Sequence, residues 1–218
     1  MMWFYKKLLI YRLYIGIILL GLAGGLGFMQ EWGWFSVVLF LALLAIISHF
    51  LFGPIRLIQE AFQANDMVTA QKYIDTIKFP NLLIKPVRQG YYMLLSNMAM
   101  TNKDFEGAEN YLKQSLKSST KMLGQENEGA SYFQLGMLAM QKGKTSEARK
   151  NFREALKKGL PDNETKAATF LQLSSVEIQA RNLKQGRDYF KKAKALKPKT
   201  KEIKAQLVQM EKYIHRVR

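Results

Sequence analysis

The sequence predicts an all-α protein: a transmembrane helical hairpin followed by an α-solenoid with a C-terminal capping helix. Two observations carry this prediction. Two long apolar runs lie a few residues apart within residues 1–55, and equivalent positions recur every 38 to 40 residues further along the chain. Of the 218 residues, 48% are hydrophobic, which is enough to build a sizeable buried core and excludes a largely disordered chain.

The first quarter of the chain can cross a membrane twice. Residues 13–29 carry no charge, and residues 32–52 contain one titratable side chain, His49, which we interpret as interfacial or hydrogen-bonded. About 20 helical residues cross the roughly 30 Å hydrocarbon core, so the predicted spans are about 8–29 and 32–52. The connection around Glu31 is long enough only for a tight turn, so the two helices must be antiparallel neighbours.

Small residues indicate how the two spans pack. Gly21 and Gly25 are four residues apart on one face of the first helix, and Ala42 and Ala45 of the second helix could receive that face. Small side chains let helical backbones approach closely within a membrane. We expect this packing to occur within the hairpin. Oligomerisation or contact with another membrane protein is the alternative.

Basic residues at the ends of the hairpin predict its orientation. Lys6, Lys7 and Arg12 precede or begin the first span and Arg56 follows the second, whereas the turn carries only Glu31. The positive-inside rule then places both termini in the cytoplasm. The sequence therefore predicts an integral protein of the plasma membrane, the inner membrane in a bacterium. A cleaved signal peptide is the alternative, because the basic residues also precede an apolar stretch.

The remainder of the chain repeats. Ala108, Ala148 and Gly186 occupy equivalent positions at offsets of 40 and 38 residues, each on the second helix of a predicted pair. Further apolar and small residues accompany them, and in the middle copy these are Tyr132, Leu135, Gly136, Ala139, Phe152 and Ala155. This pattern resembles the tetratricopeptide repeat, in which small residues let two antiparallel helices approach and an aromatic side chain fills the gap beyond them.

The resemblance covers about residues 56–198. In departures from the family pattern, Ser96 and Ser174 replace a usual glycine and Ser115 a usual alanine. Because each repeat of a solenoid buries its face only against a neighbour, a terminal cap is also needed, and the basic residues 199–218 can form that helix. The predicted units are a degenerate one at about 56–80 and three others at about 89–122, 129–162 and 167–198.

Members of the family that this chain resembles are mostly protein-binding scaffolds, which implies a groove on the face formed by the first helix of each pair. The groove positions carry an apolar, Met-rich strip, and adaptable thioether side chains suit an apolar helix or an extended peptide as the ligand. Ordinary core packing, or cover by the chain's own final helix, is the alternative. The residues at these positions are Met93, Asn97, Met100, Phe133, Met137, Met140, Leu171, Ser175 and Ile178.

Positive charge is concentrated at the C-terminus. The chain has a net charge of +16, and residues 181–218 hold 13 basic and 3 acidic residues, a difference of +10. Such a surface can be a solvated face, or it can contact anionic lipid or RNA phosphates. Few aromatic residues lie between the lysines, so base stacking has little support. The patch consists of Lys191, Lys192, Lys194, Lys197, Lys199, Lys201 and Lys204.

The sequence contains no set of residues that suits a catalytic site. The chain lacks cysteine, its two histidines fall in different modules, and no spacing suits a metal site, so we predict neither an enzyme nor a bound cofactor or metal. The resemblance instead implies a membrane-anchored scaffold or adaptor that binds a protein partner at the cytoplasmic face, as a subunit of a membrane complex. The alternative is an electrostatic tether that holds RNA, ribosomes or anionic lipid through the basic C-terminal face.

Overall fold

The computed structural model describes residues 2–52, 54–119 and 125–216, and side chains from residue 11 onward except those of residues 125 and 126. The Lys6 and Lys7 side chains, used above to predict orientation, lie outside this set. Over the described residues the chain is all-helical, without a β-strand. The α-helices are α1 (Met2–Phe28), α2 (Trp32–Phe52), α3 (Ile55–Gln63), α4 (Met67–Asp75), α5 (Lys85–Thr101), α6 (Phe105–Lys117), α7 (Gln125–Gln141), α8 (Thr145–Lys158), α9 (Asn163–Gln179), α10 (Leu183–Ala195) and α11 (Lys201–Arg216), with a 3₁₀ turn at Pro80–Leu82.

The chain divides into two compact units, residues 1–94 and 95–218. In the first unit, α1 and α2 form the predicted hairpin around a turn at Gln30. Their contact depends on small residues, because a Cβ atom added at Gly16 would lie 2.5 Å from Ile46 Cγ1 and 3.3 Å from the Ala42 carbonyl oxygen. Ala23 and Ala42 are buried in the same contact zone, so the two backbones approach closely along α1 and α2.

The expected contact of Gly21 and Gly25 with the second helix is wrong. A Cβ atom added at either glycine meets nothing within 4 Å, so both lie on the open side of α1. The physical reason is helical periodicity. Gly16 and Ala23 are seven residues apart and share the face toward α2, whereas Gly21 and Gly25 are rotated to the opposite face. Ala42 does lie at the contact.

The hairpin leaves its apolar surface uncovered. Both helices are long and apolar enough to cross a membrane, and the α2 span has a mean hydropathy of 2.6 with only 6% of its residues buried. Trp32 and Trp34 at the start of α2 are each 66% exposed. A core helix of a water-soluble protein would bury such a surface against its own chain.

Backbone contacts attach the hairpin to the helices that follow it in the first unit. Pro54 is buried and precedes α3, and the Ile84 amide donates to the Leu51 carbonyl in the last turn of α2 at 3.1 Å. Asp66 caps α4 by accepting from the Thr69 amide at 3.0 Å. The end of α2 is therefore hydrogen-bonded to the residue that precedes α5, in addition to its chain connection to α3.

Four helix pairs share one turn geometry. The residues in the turns with positive φ are Asn65, Lys103, Gly143 and Arg181, at 58°, 60°, 70° and 61°. In each case the next residue donates its amide to a carbonyl five positions earlier, as in the Schellman motif that ends many helices. The turns are spaced by 38, 40 and 38 residues, so the pair α3–α4 follows the register of the later pairs.

Small residues let the paired helices approach. Ala108, Ala148 and Gly186 are all buried, and a Cβ atom added at Gly136 would lie 2.5 Å from the Phe152 ring. The serine that replaces a usual glycine at 174 fits because its hydroxyl donates to the Gly186 carbonyl at 2.8 Å. Ser115, which replaces a usual alanine, likewise pairs its hydroxyl with that of Ser131 at 3.0 Å.

An acidic side chain links consecutive pairs in the second unit. Glu109 of α6 accepts from Lys113 at 2.7 Å and from Lys142, at the end of α7, at 2.5 Å. The hydrogen bond from Lys113, followed by that from Lys142, lowers the pKa of Glu109 to about 2. The carboxylate is therefore ionised well below neutral pH and binds α6 to the turn after α7.

Candidate protein-binding groove

Two of the nine predicted groove residues belong to the core. Leu171 is 2% exposed and packs in a cluster with Phe190 and Ala193, against which α11 lies. Ile178 is 6% exposed, and its Cγ1 would lie 2.5 Å from a Cβ atom added at Gly186. Both side chains fill space between helices, so the prediction that they form an open apolar strip is wrong.

The methionine and phenylalanine positions are half-buried. Phe133, Met137 and Met140 pack against the cluster that contains Phe152 and Leu173, and Met100 packs against a second cluster beside α6. These side chains contribute to the interfaces between pairs and keep part of their surface open.

Two further positions of the strip have distinct surroundings. Asn97 Oδ1 accepts from Gln134 Nε2 at 3.0 Å, which links α5 to α7 across two repeats. Met93 is half-buried on α5 and lies in the first unit.

An open cavity of about 430 Å³ lies between α9 and α11. Ser175, the remaining predicted groove residue, lines it, and Leu171 and Ile178 contribute to its wall. Four of its nine lining residues are glutamines, and most of the remaining lining is apolar. The helix α11 borders this cavity without filling it. The other lining residues are Gln172, Gln179, Gln206, Gln209, Met210 and Tyr213.

The periodicity of α11 explains why its glutamines reach the cavity. Ile203, Leu207, Met210 and Ile214 recur at spacings of four, three and four, and all pack against the core cluster beneath α11. A sequence signal for the cavity lies next to this stripe. There α11 carries the uncharged side chains of Gln206 and Gln209, although most other polar positions near the C-terminus are lysines.

Hydrogen bonds from α9 hold the start of α11 in place. The Glu164 carboxylate accepts from the backbone amides of Lys199 at 2.5 Å and Thr200 at 3.2 Å. These bonds, led by the one from Lys199, lower the pKa of Glu164. At the other end, Lys194 of α10 donates to Glu211 at 2.7 Å. The helix α11, which forms one wall of the cavity, is thereby attached to both α9 and α10.

A buried carboxylate supports the cavity from behind. Glu177 is fully buried on α9, and its Oε1 lies 3.0 Å from both Arg149 Nε and Arg153 Nη2 of α8. Its Oε2 accepts from Asn182 Nδ2 at 2.9 Å. This cluster could not be predicted from the sequence, since nothing distinguishes its residues from solvated charges along the chain.

All seven lysines of the basic patch are exposed, but two have partners within the chain. Lys192 Nζ lies 5.5 Å from the centroid of the Tyr189 ring and 6.0 Å from that of Phe170, at cation–π distance. Lys194 pairs with Glu211. Part of the patch therefore stabilises the last repeat and its cap.

Comparison with known proteins identifies the repeats. Tetratricopeptide-repeat family models match residues 90–128 and 129–157. A solved structure from a functional characterisation of Pseudomonas aeruginosa PilF matches with a TM-score of 0.56 and 14% identity, covering 92% of this chain and 86% of that chain. No curated protein sequence matches. The chain thus contains tetratricopeptide repeats, and the predicted all-α fold with a repeat solenoid is confirmed.

Proposed function

We propose that this protein is a membrane-anchored tetratricopeptide-repeat scaffold. The hairpin α1–α2 inserts in the bilayer with both termini in the cytoplasm, and the repeats bind an extended segment of a protein partner there, as a subunit of a membrane complex. Repeats of this kind act as protein-interaction scaffolds, which supports a protein as the ligand. The observation that carries the binding role is the open cavity between α9 and α11, whose apolar lining is interrupted by four glutamines.

The anchor is supported by surface chemistry. A 21-residue helix is about 31 Å long, which equals the hydrocarbon thickness, and the α2 surface is almost wholly apolar and uncovered. Exposed Trp32 and Trp34 lie at one end of the hairpin, and exposed Tyr11 and Tyr14 lie toward the other, matching aromatic belts at two interfaces.

Carbonate extraction of native membranes tests the anchor. The chain should stay in the pellet, and protease added to sealed right-side-out cells should leave the C-terminal repeats intact. Release by carbonate would contradict the anchor, while digestion of the repeats would contradict the orientation.

The chemistry of the cavity favours an extended main chain as the bound group. An extended polypeptide presents unpaired N–H and C=O groups along its length, and glutamine side chains both donate and accept hydrogen bonds. Gln172 and Gln179 on α9 face this space together with Gln206 and Gln209 on α11. The apolar wall at Met210 can accept a side chain of the ligand.

Site-specific crosslinking tests this binding site. A photoreactive residue at Gln209 should capture a discrete partner in native membranes, whereas one at Gln185, exposed on α10 away from the cavity lining, should not. Ser175→Trp fills the cavity and should reduce capture at least tenfold, while Gln185→Trp leaves it unchanged. Equal capture from both positions would refute the cavity as the site. RNase treatment should not release the partner, and release would favour the electrostatic tether.

A further inference from the structure

A second cavity, of about 590 Å³, lies within the first unit. Three segments meet around it: Tyr11, Leu13 and Tyr14 in the N-terminal half of α1, His49 and Phe50 near the end of α2, and residues 75–79 at and after the end of α4. If the hairpin spans the bilayer, this cavity lies where its helices leave the hydrocarbon on the side of both termini. The inference below rests on that proposed anchor.

One part of the cavity is apolar and uncovered. Tyr14 is 63% exposed, Tyr11 is 50% exposed and Phe79 is 60% exposed, although all three line the same space. Aromatic side chains in the interfacial region contact acyl chains and headgroups at once, because the rings are apolar and the phenol hydroxyl is polar. This surface suits the upper part of a lipid acyl chain.

The other part carries opposite charges. Asp75 and Lys78 are both exposed, lie three residues apart and line the cavity together with Thr76. One oxygen of Asp75 accepts from Gln71 Nε2 at 2.7 Å, and a carboxylate can accept several further hydrogen bonds. A single ligand that satisfies both side chains must present a cation and an anion within a few ångströms of each other.

His49 also lines the cavity, but with its Nδ1 atom turned into the protein. Nδ1 of His49 is shielded from solvent and makes no hydrogen bond to any described residue, while its ring contacts Phe50 edge-on at a centroid distance of 5.4 Å. Buried polar atoms in native proteins are nearly always paired. Because this nitrogen is shielded, a ligand in the cavity does not reach it, and the headgroup contacts fall to Asp75 and Lys78.

We propose that this cavity binds one phospholipid whose headgroup carries both a phosphate and a primary ammonium, the chemistry of phosphatidylethanolamine. Lys78 pairs with the phosphate, and Asp75 pairs with the ammonium. The acyl chains run along Tyr11 and Tyr14 toward the hydrocarbon. A purely anionic headgroup would satisfy Lys78 but would place no cation beside Asp75, so the charge pattern selects the zwitterionic lipid.

Native mass spectrometry of the full chain in mild detergent tests the proposal. The probes are phosphatidylethanolamine and phosphatidylglycerol with identical acyl chains. The wild-type protein should bind phosphatidylethanolamine about fivefold to tenfold more tightly, as expected for one additional charge-assisted hydrogen bond. Asp75→Asn, which keeps the acceptor for Gln71, should reduce this preference to about one.

The remaining variants separate the site from general charge effects. Lys78→Gln should weaken the binding of both lipids about fivefold to tenfold. Lys72 is exposed on α4 but lies outside the cavity lining, so Lys72→Gln should weaken the binding of neither. Equal binding of the two lipids by the wild-type protein, or equal effects of the two lysine variants, would overturn the proposal. Carbonate extraction of the same wild-type protein distinguishes the failures: retention in the pellet without a lipid preference removes only the lipid site, while release removes the anchor as well.

Discussion

The buried Glu177 cluster gives the sharpest stability prediction. Glu177→Gln keeps the side-chain volume and removes the charge, and its amide nitrogen must then face either the arginines or Asn182, which are all donors. One favourable contact therefore becomes a donor–donor contact whichever way the amide is turned. The cluster joins α8 of one pair to α9 of the next and to the turn before α10, so its loss should loosen the last repeat first.

The magnitude follows from how deeply each partner is buried. Removing one member of a buried ion pair typically costs about 3–5 kcal/mol. Here the carboxylate is fully buried, but the side chains of Arg149 and Arg153 are 27% and 46% exposed, so water can partly solvate them after the change. We therefore expect Glu177→Gln to lower the free energy of unfolding by about 2–3 kcal/mol, below the range for a fully buried pair.

Thermal unfolding of the full chain in mild detergent, followed by circular dichroism, measures this effect. For a chain of this size, 2–3 kcal/mol corresponds to a decrease in Tm of roughly 5–10 °C. Glu147→Gln is the matched control, because that side chain is 44% exposed and lies 3.7 Å from Lys144, where an ion pair contributes less than about 1 kcal/mol. If both variants melted within about 1 °C of the wild-type protein, the cluster would not stabilise the repeats.

Three further changes test the packing and the hydrogen bonds. Gly136→Ala should destabilise by about 1–3 kcal/mol in the same melt because its Cβ would meet the Phe152 ring, whereas Gly90→Ala, with open space in α5, should stabilise by up to about 1 kcal/mol. The pKa of Glu109 is lowered in the folded state, so its ionised carboxylate stabilises the fold above pH 4.5, and this stabilisation is lost as the pH falls toward 2. Glu109→Gln should therefore make Tm depend less on pH between these values. Glu164→Gln should increase amide hydrogen exchange in α11 severalfold without affecting α7, and unchanged exchange would show that α11 is held by its apolar face alone.

Most of the fold could be predicted from the sequence because it depends on local patterns. The offsets of 40 and 38 residues that relate Ala108, Ala148 and Gly186 return as the spacing of Lys103, Gly143 and Arg181 in the turns. Helix pairs of this kind are specified by contacts a few residues apart, where small side chains and turn residues leave a direct mark on the sequence. The hairpin could likewise be predicted, because length and apolarity are properties of each helix alone and do not depend on which helices become neighbours.

The candidate site was harder to predict because it depends on which helices become neighbours. Repeat register alone assigned Leu171 and Ile178 to an open groove, but α10 and α11 cover both side chains. The glutamines of α11 could not be placed in the groove until that helix was known to lie beside α9. Glu177 was missed for a related reason, since its arginine partners are 24 and 28 residues away on another helix.

The helix α1 has two faces of small residues, and the sequence alone does not tell which of them contacts α2. Gly16 and Ala23, seven residues apart, form one face, and Gly21 and Gly25, at the four-residue spacing typical of close helix packing in membranes, form the other. The contact with α2 uses the first face, where an added Cβ atom would collide with Ile46. A second α2-like helix could approach the open face at Gly21 without any such collision. The hairpin therefore satisfies its own packing with half of its small residues, and the other half remain open on the surface that faces the lipid in the proposed anchor.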